Sequence, residues 1–411
     1  MSRLIALLAP ACMLGGLIVW RVTQPHSLTQ WLHHPGLSFT PYLLYGIAFL
    51  LAVIFRQSPI AFVALLLAGC TALTAGAFAV EALEPAQAAV LLSCIALPLN
   101  FIGFSMIRER GVISRYGIQS LCIVVLQLIL LYVGVFHGAH VLAGLYSITI
   151  IFSRPPTWLT IPEPGYLLLI FATAFLAWRH WKDIGPGVAT ATALWAFVAG
   201  LNFAGPRSGD AASLPFLYLF ASSSGVFLIY AIVARLWRSA FLDELTQLPG
   251  RRSMQHHLDR LDDVFSIAMV DLDHFKQVND RHGHDAGDQI LRMVASRLGG
   301  IAFGRAYRYG GEEFAVVAPG VRRKELARQM DTVREEIANT SFYLRSAARP
   351  RSKPKEPSRY RSTMKQVPIT ISVGVAEPSD KTLGAFEVLQ QADKALYRAK
   401  RLGRNRVSPL S

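Results

Sequence analysis

Ser266-Ile267-Ala268-Met269-Val270-Asp271-Leu272-Asp273 reads as a buried strand that ends in two acids. A short apolar run of this kind fits the middle of a sheet. Carboxylates placed where such a strand leaves the sheet are positioned to hold a hard cation outside the core. Around this stretch, from Phe241 onward, short apolar runs alternate with amphipathic ones, the pattern of an α/β or α+β domain. The spacing predicts strands over Val264–Val270 and Val367–Val375, and a hairpin over Ala306–Val317. It predicts helices over Asp243–Leu261, Phe275–Arg281, Asp285–Leu298, Arg322–Asn339 and Ala385–Arg401.

The sequence before this domain has another character. The 411 residues are 52% hydrophobic and 17% charged, with a mean hydropathy of +0.36, which excludes both a disordered chain and one soluble domain. Residues 1–238 carry only about 18 Lys, Arg, Asp and Glu, against about 50 in residues 239–411. A membrane-spanning helix needs about 20 apolar residues. Eight segments meet this, centred on Leu4–Trp20, Thr40–Phe55, Ile60–Val80, Gln87–Ile107, Tyr116–Phe136, Gly165–Trp178, Gly187–Ala204 and Leu214–Ala234. The run Val141–Phe152 is too short for an easy span and reads as interfacial or re-entrant. The Lys and Arg of the short loops fall on alternate sides if both ends of the bundle face the cytoplasm. The first segment reads as an anchor and not as a cleaved leader.

Few charges lie within these segments, which argues against a transport pathway and for a sensory or anchoring body. His26, His33, His34, His137 and His140 fall in outward loops without metal-ligand spacing, and the four cysteines all lie in apolar stretches. The net charge of +14 is shared between membrane loops and one basic stretch, Leu344 to Gln366, so no nucleic-acid partner is expected. That stretch, rich in Arg, Lys, Pro and Ser, reads as a flexible insert.

A second chemical signal is Arg308-Tyr-Gly-Gly-Glu-Glu-Phe314, paired glycines between β-formers with two acids beside them. Alone, Gly310-Gly311 is an ordinary tight turn. Beside a strand ending in Asp271, however, the added carboxylates of Glu312 and Glu313 make the donor set of a two-metal nucleotidyl-transfer site.

Together with three further motifs, these residues resemble the GGDEF family of diguanylate cyclases. The five are Asp243-Glu-Leu-Thr-Gln-Leu-Pro-Gly-Arg-Arg252, Asp271-Leu-Asp-His-Phe-Lys-Gln-Val-Asn-Asp280, Gly283-His-Asp-Ala-Gly-Asp288, Arg308-Tyr-Gly-Gly-Glu-Glu-Phe314 and Ala392-Asp-Lys-Ala-Leu-Tyr-Arg-Ala-Lys-Arg-Leu-Gly-Arg-Asn405. The resemblance covers about 40% of the chain, Asp243 to Asn405. It implies an α+β palm-like GGDEF, or nucleotidyl cyclase, domain (239–411, insert 344–366), which follows the multi-pass helical membrane domain (1–238) expected from the apolar segments. The implied reaction condenses two GTP into cyclic di-GMP and two pyrophosphates.

Residue by residue, the resemblance implies that Asp271, the Leu272 carbonyl and Glu312 hold two Mg²⁺, or Mn²⁺ in its place, with Glu313 nearby. Glu312 would also accept the ribose 3′-hydroxyl proton. Asn279 and Asp288 would bind guanine, Phe275, Lys276 and His284 would line the nucleotide site, and Gly310 and Gly311 would pass close to substrate. Lys400 and Arg404 would meet the triphosphate. Asp273 reads as structural, and Arg308 as either a packing or a phosphate residue.

Each such domain binds one GTP, so a homodimer is implied, held at the bacterial inner membrane in contact with its lipid. Downstream effectors would read the product, with biofilm favoured and motility suppressed. One departure stands out. Ile301 and Gly304 occupy the positions of the Arg and Asp in the family's RxxD product site, so that form of product inhibition is expected to be absent. The rival reading is a membrane receptor with a silent GTP-binding domain.

Overall fold

A computed structural model describes residues 35–80, 82–107, 109–148, 150, 160–179, 184–205, 214–340, 342–343, 366–378 and 384–409. They divide between Leu236 and Trp237 into two compact units.

The first unit is helical. After a 3-10 turn at Pro35–Ser38 come α1 (Thr40–Ile54), α2 (Ser58–Ala79), α3 (Leu83–Met106), α4 (Arg115–His137), α5 (Ala139–Tyr146), α6 (Glu163–Arg179), α7 (Ile184–Ala204) and α8 (Leu214–Phe241). Prolines in the first turn start α1 and α2, where the missing N–H has no helical partner to lose. Ser114 caps α4 by accepting the Gly117 N–H at 3.1 Å.

Six of these helices are long and apolar enough to cross a membrane. Of the eight expected segments, Leu4–Trp20 lies outside the described residues, and Gly165–Trp178 falls in α6, whose 17 residues reach about 26 Å. Within the run Val141–Phe152, residues 141–146 belong to the eight-residue α5, far too short to cross. Tyr45 and Ser224 share a buried hydrogen bond of 2.7 Å that ties α1 to α8. Glu109 and Arg235 pair at 2.8 Å, which puts the α3–α4 loop and the end of α8 at one end of the helical unit.

The second unit is built on a five-stranded sheet. Its elements are α9 (Arg251–Leu258), β1 (Phe265–Leu272), α10 (Phe275–His282), α11 (His284–Gly299), β2 (Arg305–Arg308), β3 (Glu313–Pro319) and α12 (Arg323–Ala338). Then follow β4 (Phe342–Tyr343), β5 (Gln366–Val367), β6 (Ile371–Ala376), α13 (Ala385–Arg401) and β7 (Val407–Pro409). Strand order is β2-β3-β1-β6-β7, with only β6 and β7 parallel. β4 and β5 pair separately. The basic stretch 344–366, apart from Gln366 itself, lies outside the described residues.

The two-residue period of β1 sorts its side chains between two layers. Ala268, Val270 and Leu272 pack with Leu291 and Val294 of α11 and Leu326 and Met330 of α12. Ile267 and Met269 pack on the other face with Met254 of α9 and Leu389, Ala392 and Leu396 of α13. Each large aliphatic side chain buried in these layers stabilises the fold by roughly 1.5–3 kcal/mol. Gly374 of β6 sets how close α13 comes: a Cβ there would lie 2.0 Å from the Leu396 nitrogen and 2.2 Å from the Ala392 oxygen.

Two sequence expectations need correction. The helix expected over Asp243–Leu261 is confined to Arg251–Leu258. Before it, Asp243 Oδ1 accepts both the N–H and the hydroxyl of Thr246, at 2.8 and 2.6 Å, and Gln247 adopts φ +60°, so a turn replaces the first helical turns. Pro249 adds to this by disfavouring helix at Leu248. Likewise, the strand expected over Val367–Val375 is broken into β5 and β6, since Pro368 has no N–H to donate to a ladder.

Candidate active site

The site begins where β1 ends. Asp271 pairs in register with Glu313 on β3 and with Ser372 on β6, and directly opposed residues share a sheet face. That face carries α13, and the Nζ of Lys400 from its last turn lies 2.8 Å from Asp271 Oδ2. Burial pushes the Asp271 carboxyl above the usual carboxylate range, and the Lys400 ammonium only partly opposes it. Glu312 and Glu313 are raised too, by burial and then by the Asp271 charge.

The glycine hairpin brings these acids in. Tyr309 and Gly310 donate their N–H groups to the Glu313 carbonyl at 2.9 and 3.1 Å, and the Leu272 N–H donates to the Glu312 carbonyl at 3.4 Å. A Cβ on Gly310 would lie 2.7 Å from Glu313 Oε2, so the glycine leaves room for that carboxylate. Arg308 holds the hairpin from behind: its Nε and Nη2 donate to the carbonyls of Gly310 and Gly311 at 3.1 and 2.7 Å. Its Nη1 pairs with Asp243 at 2.7 Å.

This donor set fits a hard divalent cation. All candidate ligands are oxygens, the Asp271 charge raises the proton affinity of both glutamates, and a lysine ammonium stands against the most buried of the three acids. Among the described residues no three His, Cys, Asp or Glu already converge as a cage. Mg²⁺ is commonly held by one or two carboxylates and completed by substrate phosphates, so a cage is not required.

A second cluster follows three residues downstream. His274, at φ +57°, turns the chain into α10, whose first residue Phe275 is buried. Gly283, at φ +82°, separates α10 from α11. The two helices approach at Gly287, where a Cβ would lie 2.0 Å from Asn279 Oδ1 and 3.0 Å from the Phe275 ring. Asn279 Oδ1 is buried without a hydrogen-bond partner, an acceptor in need of a donor. Asp288 is half-buried next to Gly287, while Lys276 and His284 are exposed on the same helix pair.

Thus Asp271, Leu272, Gly310, Gly311, Glu312, Glu313 and Lys400 gather at one end of β1. Arg404, exposed and at φ +63° just beyond α13, lies near enough for its charge to favour ionised Asp271. Phe275, Asn279 and Asp288 form the adjoining half. Sequence reasoning did not foresee the partners of Asp273, whose carboxylate accepts from Ser372, Thr370 and the Asn405 N–H. For Thr370 and Ser372 the only signal is polarity around the start of an otherwise apolar strand, and a backbone N–H such as that of Asn405 leaves none.

The site thus lies on a mixed α+β domain, with helices on both faces of the sheet and acids at the end of its central strand. Residues 240–406 match the family described as diguanylate cyclase, GGDEF domain, and this part of the chain is a GGDEF domain. Diguanylate cyclase VdcA of Vibrio cholerae is 37% identical over 184 residues, 43% of this chain and 49% of that protein. Response regulator PleD of Caulobacter vibrioides is 33% identical over 177 residues, 41% of this chain and 36% of that protein. The chain therefore spans about half or less of these curated relatives. Among solved structures, the coiled coil and GGDEF domain of DgcB from Caulobacter crescentus in complex with c-di-GMP is 32% identical, covering 43% of this chain and 90% of that one, with a TM-score of 0.38.

Proposed function

We propose that this chain is a membrane-anchored diguanylate cyclase that condenses two GTP into cyclic di-GMP and two pyrophosphates. The observation that carries the reading is the group of Asp271, Glu312 and Glu313 around Lys400, within the segment that matches the family. Asp271, the Leu272 carbonyl and Glu312 would hold Mg²⁺, two ions per site, with Glu313 beside them. The metal, when bound, would polarise the α-phosphate and acidify the attacking hydroxyl.

The chain's own groups divide the remaining work. Asn279 Oδ1 and the Asp288 carboxylate are acceptors suited to the N1–H and amino group of guanine, while adenine offers no donor at N1. Lys400 and Arg404 would bind the triphosphate and balance charge on the departing pyrophosphate. Glu312 would take the proton of the ribose 3′-hydroxyl. Gly310 and Gly311 would let the backbone pass close to the nucleotide. Each domain would supply one GTP, so that two copies face each other and each 3′-hydroxyl attacks the other nucleotide. The apolar helices would anchor the enzyme in the bacterial inner membrane, among lipids that fill their outer faces, with the GGDEF domain in the cytoplasm.

The test is to incubate purified full-length protein with GTP and Mg²⁺ beside a Glu312→Ala variant, following pyrophosphate and cyclic di-GMP. The wild type is expected to form both products and the variant at least about 10³-fold less. GTP binding without turnover by the wild type would replace the cyclase with a GTP-sensing receptor.

A further inference from the structure

Two residues beyond Asp271, Asp273 is almost fully buried, and both its oxygens are engaged. Oδ1 accepts the Ser372 hydroxyl at 2.7 Å; Oδ2 accepts the Thr370 hydroxyl at 2.8 Å and the Asn405 N–H at 3.0 Å. Its own N–H donates to the Thr370 carbonyl at 3.0 Å. Three donors leave this carboxylate little capacity for a metal, in contrast to Asp271.

The Asn405 bond is the informative one. Gly403, Arg404 and Asn405 are three successive residues at φ +109°, +63° and +43°. Left-handed backbone is costly for residues with a Cβ and persists only where the surroundings enforce it. Other ties of this turn are Arg404 N–H to Ala399 O at 3.1 Å, Gly403 N–H to Lys400 O at 3.4 Å, and Arg334 Nη1 to Asn405 Oδ1 at 3.0 Å, besides the local bond from Arg406 Nε to Arg404 O at 3.1 Å. The first two fasten the turn to α13 and the third to α12. Asp273 alone among them fastens it to the end of β1, where Asp271 lies.

We propose that Asp273 is a positioning residue for nucleotide binding: it clamps the left-handed Gly403–Asn405 turn and so fixes Arg404 toward the triphosphate. This rests on the reading of the site as a GTP site. Asp273 itself touches neither substrate nor metal in this arrangement; it acts through Arg404.

The test is a double-mutant cycle in the full-length protein, read as GTP affinity by calorimetry and as KM and kcat for GTP. Asp273→Asn keeps size but replaces the charged acceptor of the Asn405 N–H with a neutral one. It is expected to weaken GTP binding and raise KM about tenfold with a smaller change in kcat, as is Arg404→Ala. The double variant is expected to be no worse than the poorer single one. Asn405→Gly, which relieves the left-handed strain, is expected to restore part of the loss in Asp273→Asn. If Asp273→Asn does not fold, Thr370→Val removes one donor that orients Oδ2 and is expected to give a smaller KM rise in the same cycle.

Losses that multiply independently would overturn the proposal, as would an Asp273→Asn defect cured by about tenfold more Mg²⁺, which would make Asp273 a metal ligand. Wild-type protein that binds GTP without turnover would sink the cyclase reading yet leave the affinity cycle to decide on Asp273. Wild-type protein that does not bind GTP would end both.

Discussion

Lys400 Nζ lies 2.8 Å from Asp271 Oδ2, so a cation carried on a helix answers a buried acid carried on a strand. Because Lys400, more than Arg404, opposes the upward push of burial on Asp271, removing it raises that carboxyl further. A cation must then displace a more tightly held proton. Lys400→Met is expected to lower turnover about 100-fold at neutral pH, with the acid limb of the pH–rate profile moved to higher pH. A profile reduced in height but unmoved would mean that Lys400 serves phosphate alone.

Asp243 and Arg308 give a pH dependence of the opposite kind. Burial alone would raise the Asp243 carboxyl, but hydrogen bonds from Thr246 and Arg308 outweigh it and hold the carboxyl below the usual range. A lowered folded-state value contributes stability that is present at neutral pH and is lost as pH falls through the ordinary carboxylate value to the folded one. Asp271, Glu312 and Glu313 are raised, so their contribution is fullest in acid and is lost as pH rises past the ordinary value. Asp243→Asn is expected to cost about 1 kcal/mol at pH 7, after allowance for solvent screening, and less at pH 3, where the ordinary carboxylate value has been passed. Denaturant titrations of the full chain at the two pH values measure the difference.

Selectivity for the base is open to a test that leaves Asn279 itself in place. A methyl at position 287 would meet Asn279 Oδ1 at 2.0 Å, so Gly287→Ala must push the amide aside. The expected result is a 10- to 100-fold loss of preference for GTP over ATP, on the order of one or two lost hydrogen bonds. Competition binding with both nucleotides reads this directly, and an unchanged ratio would remove Asn279 from base recognition.

The residues facing the α11–α12 groove predict the response to product. Ile301 lines this opening of about 390 Å³ together with Arg297, Thr332 and Glu336, where the family's RxxD pattern would begin with Arg. A Cβ at Gly304 would lie 2.9 Å from the Val317 carbonyl, so an acid there would press on β3. Titrating the wild type with cyclic di-GMP is expected to show no strong non-competitive inhibition. The pair Ile301→Arg and Gly304→Asp is expected to lower the melting temperature.

Much of this was legible in the sequence because it rests on local pattern. The apolar lengths behind α1 to α4 and α8, the period-two run of β1 and the amphipathic Ala385–Arg401 each announce themselves within one window. The turn from Asp243 to Gly250 escapes the local pattern because a single side chain, bonded to Thr246 and to Arg308 far along the chain, diverts a stretch with helical composition. The partners of Asp273, namely Thr370, Ser372 and Asn405, lie about a hundred or more residues away and leave no spacing to detect. The site motifs were recognisable as a set, whereas the gathering of Lys400 against Asp271 depends on how a helix rests on a sheet.

That resting height is governed at Gly374. With only hydrogen facing α13, the helix sits backbone to backbone on β6, and the lysine near its end reaches Asp271. A single methyl group at 374 would act as a shim, tilting the far end of the helix as a wedge under one side of a lever does. The reach of a cationic side chain is therefore calibrated by a position that has none, and a substitution there would detune the site without altering any residue that touches a nucleotide.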